Sequence, residues 1–173
     1  METNKIIELA FYTLPAIITG AIAYYFFKMH TQNSDNQRRF LLKRENQKQA
    51  LPIKLQAYER LSLLLERISP TKIVIRISPL GDDKMDYQNL LIQHIEQEFE
   101  HNLTQQIYVS DECWTMLCSA KNTTIQNIRI TALSTSVSDA KELREKILTN
   151  SLEGESVNSI ALSYLKTEVK EFL

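Results

Sequence analysis

From Leu9 to Phe27 the chain runs nineteen residues without a charged side chain, LAFYTLPAIITGAIAYYFF. As an α-helix this run is about 28 Å long, close to the hydrocarbon thickness of a bilayer. Tyr24, Tyr25, Phe26 and Phe27 crowd its C-terminal end, where aromatic rings settle at headgroup level, and Lys28 follows at once. A buried core helix would show a polar stripe, and none is present. A cleaved secretory signal has one small-residue candidate site, Ala21-Ile22-Ala23. Against it, Lys5 is the only base in the leader, Glu2 and Glu8 offset it, and the apolar run continues past the triplet. The expectation is an uncleaved single-pass transmembrane helix over 9–27, with 1–8 as a short external N-terminus.

Orientation follows from the flanks. One lysine precedes the run, whereas Lys28, Arg38, Arg39, Lys43 and Arg44 follow it. A basic excess resists translocation, which places everything after Phe27 on the cytoplasmic side of the membrane. Cys113 and Cys118 form neither a CxxC pair nor a disulfide framework, in keeping with a reducing compartment. Within the run, Ala16, Gly20 and Ala23 share one face, a pattern common to membrane helices in general.

Residues 28–54 hold seven Lys or Arg against two acids. TQNSDNQ (31–37) has no apolar residue and reads as a polar linker. Beyond it Arg38, Arg39, Lys43 and Arg44 surround Phe40, Leu41 and Leu42, a composition suited to the surface of an anionic leaflet. The basic juxtamembrane segment is assigned to 28–51. No aromatic platform or recognised fold accompanies the charge, so no nucleic acid is expected as a partner.

From Leu55 onward the balance inverts, with twelve basic and seventeen acidic residues. Residues 52–173 are long enough for one small domain with a modest core. Glycine occurs only three times in the chain, which disfavours a turn-rich β architecture. Pro52 suits the first turn of a helix reaching Ile68, with Leu55, Tyr58, Leu61, Leu65 and Ile68 as its apolar stripe. TKIVIRIS is ambiguous: its β-branched residues favour a strand, yet Ser69-Pro70 suits a helix start. With no partner strand in view, a short buried helix is the better reading. Asp86 is expected to cap a helix with Leu90, Leu91, Ile95, Phe99 and Leu103 inward. Ser110 should cap the next, with Trp114, Leu117, Ile125 and Ile128 on its core side. Ser138 should cap a shorter one carrying Ala140, Leu143 and Ile147. Val157, Ile160, Ala161, Tyr164, Leu165 and Val169 mark a terminal helix. The expected fold class is all-α: one transmembrane helix and a small cytoplasmic bundle.

LQAYERLSLLLERISP (55–70), EFEHNLTQQIYVSDECW (98–114) and Ala120-Lys121 carry a resemblance to uncharacterised Bacteroidota proteins. That family has an N-terminal membrane helix followed by a small helical domain. The resemblance implies a membrane-anchored cytoplasmic domain and assigns no catalytic or binding residue.

The sharpest chemical candidate is His94, Glu98 and His101, which share one helix face at four- and three-residue spacing. Glu98 and His101 form the ExxH element of dimetal carboxylate bundles, but the second ExxH is missing, since His30 is the only other histidine. These three are therefore candidate ligands for a simple two-His-one-carboxylate site, set against the plainer reading of a hydrogen-bonded polar face. No cofactor is expected: phosphate-binding glycine loops are absent, and no serine or cysteine has a nucleophile context. A second feature is electrostatic. Between Lys84 and Lys121 there is no Lys or Arg, while six acids occur. Glu96, Glu100, Asp111 and Glu112 are the candidate docking residues for a basic protein partner in a membrane complex, with oligomeric state left open. Two functions stand. The favoured one is a non-enzymatic scaffold or accessory subunit; the alternative is a metal-dependent sensor or enzyme built on His94, Glu98 and His101.

Overall fold

The computed structural model describes the backbone of residues 2–152 and 156–172, with side chains described over 12–32, 37–151 and 156–171. Six α-helices follow in order: α1 (Glu2–Ile68), α2 (Pro70–Arg76), α3 (Lys84–Asn102), α4 (Asp111–Leu133), α5 (Ala140–Leu152) and α6 (Val157–Phe172). A short 3-10 helix, Leu103–Tyr108, joins α3 to α4. No strand occurs among the described residues, so the all-α class holds. The chain divides into two compact units, Met1–Ala50 and Leu51–Leu173.

The first unit is helix alone. Its described side chains are exposed throughout, from Tyr12 to Ala50. Among the described residues, no helix is long and apolar enough to cross a membrane. The first three side chains of the expected span, Leu9, Ala10 and Phe11, lie outside the described residues. The polar stretch 31–37, read from sequence as a linker, is helical instead. It contains neither glycine nor proline, and Thr31 turns its hydroxyl back onto the Phe27 carbonyl at 2.8 Å. Pro52 likewise does not open a helix. It sits inside α1, where its missing N–H removes one intrahelical bond.

The second unit has a continuous core. Tyr58, Leu61, Leu64, Leu65 and Ile68 from α1 meet Ile73 and Val74 of α2 and Leu91, Ile95 and Phe99 of α3. Leu117, Ile125 and Ile128 of α4, Leu143 and Ile147 of α5, and Ala161 and Leu165 of α6 complete it. Each fully buried Leu or Ile contributes about 1.5–3 kcal/mol of transfer free energy. TKIVIRIS is the short helix rather than a strand: Pro70 opens α2, and Ile73 and Val74 find their partners in the core, not in a sheet. Trp114 is only partly buried, packed against the core with Cys118 and Val169. Leu103, Ile160 and Tyr164, expected inward, are exposed.

Local capping refines three helix starts. Asp83, not Asp86, caps α3: its Oδ1 accepts from the amides of Met85 (2.6 Å) and Asp86 (2.9 Å). Ser110 caps α4 as expected, its Oγ accepting from the Cys113 amide at 3.1 Å. At α5 the capping oxygen belongs to Asp139, which accepts from the Glu142 amide at 2.8 Å. Ser138, one residue earlier, instead donates both its amide and its hydroxyl to Glu142 Oε2.

Long-range polar bonds then lock the bundle. Arg144 donates to the Val74 carbonyl at 2.9 Å, and Tyr87 donates its phenol to the Ile77 carbonyl at 2.8 Å. These are carbonyls at the end of α2, where intrahelical partners run out. Asn158 is buried; it donates to the Leu65 carbonyl at 3.0 Å and accepts from Thr124 Oγ1 at 2.9 Å, joining α6 to α1 and α4. Among the described residues no buried side-chain nitrogen or oxygen lacks a partner.

Candidate functional site

The acidic stretch identified in the sequence divides into two parts in space. Glu96 Oε2 meets Lys121 Nζ at 2.8 Å, across from α3 to α4. Glu98 Oε1 meets Arg67 Nη2 at 2.6 Å and Arg76 Nη1 at 3.5 Å. The expectation that this face has no compensating base is therefore corrected. The bases come from α1, α2 and the middle of α4, which sequence proximity does not show. Glu100, Asp111 and Glu112 differ: they are exposed, and none forms an ion pair among the described residues.

These three acids sit at one corner of the unit. Glu100 occupies the last turn of α3, and Asp111 and Glu112 the first turn of α4, where the helix dipole favours carboxylates. The 3-10 helix between them buries none of its residues, leaving Leu103, Ile107 and Tyr108 exposed. Beneath the corner, Phe99 stacks on Trp114 with ring centroids 5.2 Å apart, and Lys121 Nζ lies 4.7 Å from the Phe99 centroid.

Of the His94, Glu98 and His101 face, Glu98 is paired with the two arginines. Among the described residues no group of three His, Cys, Asp or Glu side chains is placed to hold a metal ion. The helix spacing is present, but aligned residues become ligands only if their donor atoms converge and stay uncommitted.

Among the described residues, the carboxylate with the most hydrogen-bond donors is one the sequence did not single out. Glu168, on α6, accepts from Tyr58 Oη at 2.6 Å, the Ser110 amide at 2.9 Å and Ser110 Oγ at 2.9 Å. The charge of this carboxylate also acts on the Cys113 thiol. Burial pushes the Glu168 carboxyl pKa up, but the donations from Tyr58 and Ser110 outweigh it and hold it below the usual carboxylate range. Burial, then the Glu168 carboxylate, raise the Cys113 thiol to about 12, so it stays protonated and is not poised as a nucleophile. Acidic residues with only local neighbours in sequence give no signal of such a hub. Its partners lie on α1 and at the start of α4.

A cavity of about 620 Å³ opens elsewhere in the unit, lined by residues including Thr71, Asn127, Ile130, Thr131, Ser156 and Leu162. Its buried polar members are already bonded: Thr131 to the Asn127 carbonyl, and Asn158 to Leu65 and Thr124. The sequence carried no signal for it, since its walls come from five helices. In the first unit, Arg38, Arg39, Lys43 and Arg44 are all exposed, together with Phe40, Leu41 and Leu42.

The chain belongs to a family of unknown function, DUF7935, whose model matches residues 4–172. The match covers nearly the whole chain, in keeping with the uncharacterised domain implied by residues 55–70 and 98–114. No curated protein and no solved structure matches it.

Proposed function

We propose that this member of the family is a membrane-anchored, non-enzymatic scaffold or accessory subunit. In this reading residues 9–27 span a bacterial inner membrane, and Leu51–Leu173 is a helical docking domain on its cytoplasmic side. One observation carries the anchor. The uncharged run is helical, and from Tyr12 to Phe27 its described side chains are exposed on every side of the helix. Ile17, Ile18, Ile22 and the aromatic cluster Tyr24–Phe27 are each at least half exposed, at 50–72%. In water such a helix is unfavourable, and hydrocarbon supplies the missing environment. The exposed Arg38, Arg39, Lys43 and Arg44 that follow support both the orientation and contact with anionic headgroups.

Docking is supported by where charge is left unpaired. Glu96 and Glu98 are neutralised within the fold, whereas Glu100, Asp111 and Glu112 present their charge outward beside exposed apolar side chains. Alkaline-carbonate extraction of membranes, combined with reporter fusions at the C-terminus, tests the anchor and its direction. The expected result is retention in the membrane with a reporter active only in the cytoplasm. Release by carbonate, or a periplasmically active reporter, refutes the reading.

A further inference from the structure

We infer that the corner formed by the end of α3, the 3-10 helix and the start of α4 docks a basic amphipathic helix of a partner protein; this rests on the docking reading above and names its surface and the chemistry of its occupant. The corner spans Glu100 to Glu112 and combines two kinds of exposed group. Its apolar part is Leu103, Ile107 and Tyr108, at 44%, 73% and 36% exposure, on an element that contributes nothing to the core. Its polar part is Glu100, Asp111 and Glu112, all without ion pairs among the described residues.

The comparison with Glu96 and Glu98 gives the surface its direction. One turn back along α3 the fold supplies Lys121, Arg67 and Arg76 to the acids; from Glu100 onward it supplies none among the described residues. Between Lys84 and Lys121 the sequence itself has no Lys or Arg. Three unpaired negative charges on the same segment as exposed Leu, Ile and Tyr repel an acidic partner, and a purely apolar one would strip water from the carboxylates without replacing it. They suit a helix that sets apolar side chains on Ile107 and Leu103 and lysines or arginines toward the rim. Such a partner gains apolar burial at the centre and faster, salt-sensitive encounter from the charges.

Trp114 provides the readout. It is the only tryptophan in the chain, lies three residues beyond Asp111, and stacks on Phe99 beneath the corner. The full chain in neutral detergent is titrated with a tryptophan-free Lys/Leu amphipathic peptide of about eighteen residues, long enough for five helical turns. The expected result is a saturable change in Trp114 emission that weakens about tenfold between low and high salt. It should weaken by about tenfold again in a variant carrying Glu100→Gln, Asp111→Asn and Glu112→Gln. Ile107→Asp, at an exposed position, should weaken it separately. A Glu/Leu peptide of the same pattern is the control that needs no folded variant, and it should not bind. The inference is overturned by absence of saturation, by equal binding of the two peptides, by unchanged affinity in both folded variants, or by self-association of the chain through this corner without peptide. Failure of the anchor would appear in carbonate extraction and would leave this titration unaltered.

Discussion

Tyr58 donates its phenol to Glu168 at 2.6 Å across a separation of 110 residues, fixing the start of the second unit's α1 segment to its last helix. The same carboxylate holds Ser110, the residue that caps α4. One side chain thus ties three helices together. Burial and the bond to Glu168 raise the Tyr58 phenol pKa, which keeps it protonated and a donor at neutral pH.

Removing this carboxylate should therefore cost stability out of proportion to its size. Glu168→Ala removes the acceptor that the Tyr58 hydroxyl and the Ser110 amide and hydroxyl share, and a donor whose acceptor water cannot replace costs about 1–3 kcal/mol. Tyr58→Phe removes only one donor and should cost less. Urea denaturation of the two variants checks the order.

The clasp also sets an acid limit. Because the Glu168 pKa is lower in the folded protein, its stabilisation is fully present above the unfolded carboxyl pKa, near 4.5. It is lost as pH falls below that value through the folded pKa. Melting temperatures from pH 7 to pH 3 should show a steeper acid decline in the wild type than in Glu168→Gln, which has no charge to lose there. Parallel curves would remove the assignment.

Phe99 is 9% exposed, stacks on Trp114 and lies under Lys121. Phe99→Ala should destabilise the protein by about 3–5 kcal/mol, and Trp114 emission should shift to the red as its neighbour disappears. Calorimetry and fluorescence on the same sample test both parts.

The ion pairs of Glu98 should matter little for stability despite their short distances. Arg67 is 45% exposed at its side chain, so water screens the pair, and Arg67→Ala should cost less than about 1 kcal/mol. The commitment of Glu98 to Arg67 and Arg76 also predicts that Zn²⁺ binds no tighter to the wild type than to His94→Ala. Calorimetric titration showing one tight Zn²⁺ equivalent, lost in that variant, would restore the metal reading.

For the anchor, Ile18→Arg places a cation near the centre of the 9–27 run. At about 2.5–3.5 kcal/mol for an arginine at mid-helix, it should shift the chain measurably toward the carbonate-soluble fraction. Ile53→Arg, exposed in the second unit, serves as the matched control and should not.

Sequence alone determined what depends on neighbours a few residues apart. Helical periodicity marked Leu61, Leu65, Leu91, Ile95 and Leu117 as core, and all are buried. Ser110 followed by two acids announced the start of α4, and scarce glycine with no partner strand pointed to an all-α bundle. Cap positions slipped by one to three residues at Asp83 and Asp139, because several adjacent carboxylates and hydroxyls can each reach the first free amides. Tertiary structure alone decided which charges are spent inside the fold. Glu96 and Glu100 lie four residues apart and look alike in sequence, yet only Glu96 meets a lysine, 25 residues away. Glu168 likewise became a hub only when packing brought Tyr58 and Ser110 to it. Periodicity is a local property of the backbone, but an ion pair or a buried hydrogen bond exists only once the core has fixed the distance between helices.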